Sequence, residues 1–131
     1  MLGGMDTVGD LMTRDVLTVD PADSLGEAAE KMIDHGVGAL VVSDFGNIIG
    51  IVTERDVLRA AAHRTSSAET RVRQWMTTEV ITVPPSMPAT EAAQTMLDRN
   101  FRHLPVVDGG RPVGILSMRD LARWRALGDS Q

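Results

Sequence analysis

The sequence predicts an α/β fold of the α+β kind, with two β-α-β-β-α repeats packed sheet to sheet about a pseudo-two-fold axis. Three observations predict it. Residues 8–62 align on residues 72–126 without a gap, with 22 identities over 55 positions. Both copies place a helix-period apolar stripe and two strand-like runs in the same order. The strand runs, such as Ala39-Leu40-Val41-Val42, are continuously apolar, which suits sheets covered on both faces. One repeat alone is marginal in size, and packing two similar sheets together supplies the missing burial. That arrangement leaves two equivalent clefts, each lined by both repeats. The chain therefore divides into a first repeat at 1–63, a connector at 64–71 and a second repeat at 72–131.

Each repeat opens with a short helical turn, Val8 to Met12 or Val72 to Met76, followed by a brief strand at Val16 to Val19 or Val80 to Val83. A helix comes next. Ser24 with Glu27 three residues on forms a capping box in the first copy. Leu25, Ala28, Ala29, Met32 and Ile33 then make one apolar stripe, repeated as Ala89, Ala92, Ala93, Met96 and Leu97. Pro88 is tolerable in the first turn of the second copy. Gly36 and Asn100 can each adopt the left-handed conformation that ends a helix. Hairpins follow: Ala39 to Ser43 with Ile48 to Thr53, and His103 to Val107 with Pro112 to Ser117. Their turns, Asp44-Phe45-Gly46-Asn47 and Asp108-Gly109-Gly110-Arg111, contain residues that tolerate positive φ. A last helix runs from the end of each hairpin to about His63 or Leu127.

The joint between hairpin and last helix carries the chemistry. It reads Gly50-Ile51-Val52-Thr53-Glu54-Arg55-Asp56 and, again, Gly114-Ile115-Leu116-Ser117-Met118-Arg119-Asp120. A hydroxyl at the joint and a carboxylate three residues on sit beside backbone N–H groups that have no partner inside the helix. Two readings are open. Thr53 and Ser117 can be N-caps with Asp56 and Asp120 at N3, or the pair can hold a sugar and a phosphate. The two are compatible, because a capping hydroxyl keeps a lone pair.

Composition excludes several classes. The net charge of −5 and 3% aromatic residues argue against nucleic-acid binding. The absence of cysteine excludes disulfides, thiolate zinc sites and cysteine nucleophiles. No apolar run reaches the roughly 18–20 residues that span a bilayer, and Met1 to Met5 show no export signal. No histidine pair has metal-ligand spacing, and no catalytic triad or carboxylate pair can be drawn. A cytoplasmic, non-enzymatic protein without a required cofactor is expected. Trp75 and Trp124 are expected to be packing anchors, and the arginines at 64, 71 and 73 solvated.

These motifs resemble a pair of cystathionine-β-synthase-type (CBS) domains over nearly the whole chain. The resemblance rests on the two joints, on Arg102-His103-Leu104-Pro105-Val106-Val107-Asp108, and on the Met-Thr-x-x-Val-x-Thr-Val-x-Pro openings at Met12 to Pro21 and Met76 to Pro85. It implies a regulatory module that binds an adenosine-containing ligand, with AMP, ADP or ATP foremost and S-adenosylmethionine or NAD(H) as alternatives. It implies that Asp of the joint holds ribose hydroxyls and that Thr or Ser lies near ribose or phosphate. Position by position, one cleft would combine Thr53 and Asp56 with Val80, Ile81, Arg102 and His103. The other would combine Ser117 and Asp120 with Val16, Leu17, Val37, Gly38 and Ala39. Arg102 is either a solvated charge or a phosphate contact, and His103 either a hydrogen-bonding group or packed. Because Val37, Gly38 and Ala39 stand where the second repeat has Phe101, Arg102 and His103, the clefts are chemically unequal. The expectation is that the Thr53/Asp56 cleft binds a phosphorylated adenosine, while the Ser117/Asp120 cleft is weaker, empty or suited to a less charged ligand. The resemblance also implies a homodimer and a separate regulated protein partner. The competing reading is a structural homodimerisation module with vestigial clefts.

Overall fold

The computed structural model describes residues 6–129. Met1 to Met5, with the export-signal expectation that rests on them, lie outside the described residues. The element order is α1 (Val8–Leu11), β1 (Thr18–Val19), α2 (Leu25–His35), β2 (Ala39–Asp44), β3 (Asn47–Thr53) and α3 (Glu54–Ala62). It continues with α4 (Val72–Trp75), α5 (Ala89–Arg99), β4 (His103–Asp108), β5 (Arg111–Ser117) and α6 (Met118–Asp129). Both repeats thus keep the expected mixture of strands and helices, and each hairpin and each last helix falls where the sequence places it.

The chain forms two compact units whose boundaries are not those of the repeats. A central unit is Leu17–Val80, and a split unit takes the chain up to Val16 together with the chain from Ile81 onward. The opening turn of the second repeat therefore belongs with the hairpin of the first, and the opening turn of the first with the hairpin of the second.

In the central unit β1 runs parallel to β2 and β2 antiparallel to β3, with Thr18 opposite Val41 and Ala39 opposite Thr53. Val19, Leu25, Ala28, Met32, Leu40, Val42, Val52, Ala60 and Val72 form its core. In the split unit β4 pairs antiparallel with β5, His103 opposite Ser117. Val8, Val83, Ala92, Met96, Leu104, Val106, Leu116 and Leu121 fill its core. Both hairpins carry a register shift at the same place, Val42/Ser43 and Val106/Val107. The duplication therefore extends to an irregularity of the backbone.

Local rules explain the helix ends. Ser24 Oγ accepts the Glu27 N–H at 3.1 Å, and Glu27 Oε1 accepts the Ser24 N–H at 3.1 Å, which closes the expected capping box. Gly36 at φ +64° and Asn100 at φ +57° end α2 and α5. Pro88 is the N-cap of α5, and the Asp6 carbonyl accepts the Ala89 N–H at 2.9 Å.

Three expectations need correction. The strand expected at Val80 to Val83 is reduced to a single bridge between Val83 and Val106. The cause is Pro105: its counterpart Val41 donates its N–H to Leu17 O at 3.1 Å, and a proline has no N–H to give. The strand expected at Val16 to Val19 shortens to Thr18–Val19. The apolar stripe is also narrower than its helical period suggests. Ile33 and Leu97 are 80% and 69% exposed, whereas Leu25, Ala28 and Met32 are buried. At about 100° per residue, Ile33 lies roughly 100° round the helix from Met32, beyond the face that the sheet covers.

The connector has its own bonds to the central unit. Thr70 O accepts the Leu25 N–H at 2.8 Å, Ser67 O accepts the Gly26 N–H at 2.9 Å, and the Arg71 guanidinium donates to Ala22 O at 3.2 Å. Among the described residues, no helix is long and apolar enough to cross a membrane.

Candidate functional site

The glycine that opens each joint has a steric purpose. The opening segment Met76-Thr77 lies against β3, with Ile51 and Thr77 exchanging N–H···O bonds of 3.0 and 2.8 Å. Met12-Thr13 lies against β5 in the same way, with both Ile115–Thr13 bonds at 2.9 Å. A Cβ on Gly50 would sit 2.9 Å from Thr77 O, and one on Gly114 would sit 2.8 Å from Thr13 O. Any side chain there would push the opening segment off the strand. The Met-Thr and Gly motifs are thus two sides of one contact, repeated in each unit.

Beyond the glycine each strand runs straight into its helix. Thr53 is the N-cap of α3, in extended conformation, and Asp56 stands at N3. Asp56 Oδ2 accepts the Thr53 N–H at 2.9 Å and the Thr53 hydroxyl at 3.1 Å. Asp56 Oδ1 accepts from Arg59 Nη1 at 3.0 Å. The Asp56 residue is only 2% exposed. At the other joint, Asp120 Oδ2 accepts the Ser117 N–H at 2.8 Å and Ser117 Oγ accepts the Asp120 N–H at 3.1 Å. Asp120 is half-buried, and its other oxygen has no hydrogen-bond partner among the described residues. Capping, the plainer of the two readings, is therefore realised at both joints. Only Asp120 retains an unengaged oxygen.

The remaining candidate residues fall around these corners. Gly38 O accepts the Glu54 N–H at 3.0 Å, and Ala39 is the register partner of Thr53. Arg102 O accepts the Met118 N–H at 2.9 Å, and His103 is the register partner of Ser117. These bonds join each corner to the strand opening of its own hairpin, whereas the resemblance groups it with the opening of the other repeat. Val37 continues from α2, its N–H bonded to Met32 O at 3.0 Å. The Leu17 carbonyl is taken by Val41, and Val16/Leu17 and Val80/Ile81 are the points where the chain passes from one unit to the other. Arg102 is exposed and His103 half-buried. A separate concavity of about 460 Å³ in the split unit is lined by Thr7, Asp10, Arg14, Ser86, Asp108 and Val113 among others, and includes none of the candidate residues.

Sequence reasoning missed the group around Trp75. The Arg59 guanidinium lies 5.6 Å from the centroid of the Trp75 ring, and the His63 ring lies 5.3 Å from it on a tilted plane. Trp124 donates to Asp6 Oδ2 at 2.6 Å and ties α6 to the segment just before α1. The only signal in the sequence was that tryptophan is rare here and that neither copy occupies an equivalent position.

With this geometry in place, the relationship to known proteins is direct. Residues 8–63 and residues 72–127 each match the CBS domain. The chain belongs to the CBS-domain family. It is 37% identical over 118 residues to the CBS domain-containing protein YhcV of Bacillus subtilis, covering 90% of this chain and 84% of YhcV. The crystal structure of the CBS-domain containing protein ATU1752 from Agrobacterium tumefaciens superposes with a TM-score of 0.86 at 37% identity, covering 95% and 97% of the two chains. The CBS domain pair of protein MJ0100, solved in complex with 5′-methylthioadenosine and S-adenosyl-L-methionine, superposes with a TM-score of 0.84 at 30% identity, covering 95% and 98%.

Proposed function

We propose that this CBS pair is a regulatory module that takes an adenosine-containing ligand at its two hydroxyl–carboxylate corners and thereby modulates a partner protein. The observation that carries the reading is the duplicated corner, Thr53/Asp56 and Ser117/Asp120, in a chain similar over almost its full length to a CBS pair bound to two adenosine derivatives. A ribose presents two adjacent hydroxyls, and a carboxylate held at a helix start is a matching acceptor. Arg102 supplies the permanent cation that a phosphate needs, with His103 beside it. An adenine nucleotide is the first candidate. S-adenosylmethionine and NAD(H) are the others.

The module acts by linkage. A ligand at about 100 times its dissociation constant stabilises the bound form by about 2.7 kcal/mol, and it shifts a partner's equilibrium by its differential affinity for the two states. No catalytic step is assigned. A homodimer joined through exposed Ile33 and Leu97, equivalent residues of α2 and α5, completes the proposal.

Titration calorimetry with AMP, ATP, S-adenosylmethionine and NADH tests the reading on wild type and on Asp56→Ala and Asp120→Ala. Removing a carboxylate that accepts ribose hydroxyls lowers affinity at its corner by roughly 10- to 100-fold. Binding that ignores both substitutions refutes the assignment. No binding of any of the four leaves the second reading, a dimerisation module whose acids only cap helices, which the engaged state of Asp56 favours.

A further inference from the structure

The two corners differ in one respect that neither motif records. A carboxylate offers about four acceptor positions, two on each oxygen. Asp56 uses three of about four, for the Thr53 N–H, the Thr53 hydroxyl and Arg59. Asp120 uses one among the described residues, for the Ser117 N–H. A ribose diol donates two hydrogen bonds. Asp120 can accept both as it stands, and Asp56 can accept one.

The difference originates outside the motif. Arg59 and Arg123 are equivalent residues, each three places after the acid. Arg59 forms an ion pair with Asp56, while Arg123 forms none among the described residues. Trp75 lies under the Arg59 guanidinium, whereas Leu11 stands at the equivalent place in the other repeat. A flat, polarisable ring fixes a guanidinium in a way that a leucine cannot. His63 packs against the same ring and limits its movement. Arg59 is itself 56% exposed, so it can swing into solvent when a better partner for Asp56 arrives, at the cost of its contacts with Asp56 and Trp75.

We infer that Arg59, held over Trp75, is a latch on Asp56 that sets how tightly the Thr53/Asp56 corner takes a ribose diol. Full engagement of a diol at this corner requires the Arg59–Asp56 pair to open. Ser117/Asp120 has no such requirement. Arg59 and Trp75 are positioning residues that make two duplicated corners unequal, and the inequality lies in the residues behind the carboxylate. This inference rests on the ribose-binding reading above.

The test titrates adenosine into the full chain carrying Asp120→Ala, so that the Asp56 corner is read alone, and compares it with the same chain carrying Arg59→Met or Trp75→Leu in addition. Opening the latch tightens adenosine binding roughly 3- to 10-fold for Arg59→Met, and in the same direction but less for Trp75→Leu, which installs the residue already tolerated at position 11. The gain is absent with 2′,3′-dideoxyadenosine, which has no diol. Appearance of binding in Arg59→Met where Asp120→Ala alone shows none also supports the latch. Equal or weaker adenosine binding in Arg59→Met overturns it, and so does an equal gain with the dideoxy compound. If wild type binds adenosine and all the Asp120→Ala chains do not, the latch is overturned and the ribose reading survives at Ser117/Asp120. If no chain binds adenosine, both are overturned.

Discussion

Gly114→Ala should be among the most damaging single methyl additions in this protein, although φ at the position is not positive. The added Cβ would stand 2.8 Å from Thr13 O and 2.5 Å from Met12 Sδ, in a residue that is itself buried. Ordinary carbon–oxygen contact needs about half an ångström more, and overpacking of this kind costs about 1–3 kcal/mol. The strand and opening segment are held there by two N–H···O bonds of 2.9 Å, and a half-ångström retreat takes both towards the limit of useful geometry. Each such bond is worth about 1 kcal/mol net. A total loss near 3 kcal/mol follows, which in a chain of this length lowers Tm by roughly 8–15 °C. Gly50→Ala meets Thr77 O at 2.9 Å and should behave the same way in the central unit. Thermal melts followed by circular dichroism measure the loss, and amide exchange at Thr13 and Ile115 locates it. A Gly114→Ala protein that melts within about 1 °C of wild type would show that the opening segment is not held at this strand, and the account of both motifs would fall with it.

Other outcomes follow from the same contacts. Phe45→Asn should stabilise the protein by about 0.5–1 kcal/mol in urea titrations, because Phe45 holds φ +51° while 97% exposed and asparagine tolerates that region better. Glu27 has its carboxyl held below the ordinary value of 4.5, chiefly by the Ser24 backbone N–H and then by the Ser24 hydroxyl. An acid depressed in the folded state stabilises above its unfolded value, and that contribution is lost as pH falls through 4.5 and below. Glu27→Gln should therefore flatten the stability profile between about pH 5 and 3, and a profile identical to wild type would contradict the capping box. Ile33→Glu with Leu97→Glu should leave the far-ultraviolet spectrum and Tm of the fold in place while sedimentation shows a smaller species. An unchanged sedimentation coefficient would remove α2 and α5 from any dimer contact.

Much of the fold is legible in the sequence because duplication checks each reading twice. A strand proposed through Leu40 and Val42 is tested by Leu104 and Val106 at the same offset, and a helix ending proposed at Gly36 is tested by Asn100. One failure falls where one copy breaks the pattern. Pro105 removes a backbone donor, and the strand before it dissolves into a bridge. The stripe ending in Ile33 and Leu97 is narrower in both copies than its period suggests, because periodicity gives the direction of an apolar face and not the width that its neighbours cover. The partition of the chain was hidden for a different reason. Nothing in a linear repeat says whether an opening turn packs on its own hairpin or on its neighbour's, since both hairpins present the same glycine to the same Met-Thr pair.

That identity bears on how the corners came to differ. Each unit joins the opening turn of one repeat to the hairpin of the other, so a substitution in an opening turn acts on the other repeat's carboxylate. Trp75 begins the second repeat in sequence, yet the guanidinium that it supports belongs to Asp56 of the first. Leu11 begins the first and packs in the core that holds Leu116, at the foot of the Ser117 joint. The two acids keep the same hydrogen bond to the backbone N–H of their cap, at 2.9 and 2.8 Å, because helix geometry dictates it. What lies behind them is set by a residue of the other repeat, Trp75 for Asp56 and Leu11 for Asp120. Comparing the joint motifs alone would class the corners as equivalent; following the opening turns to the hairpins on which they pack separates them.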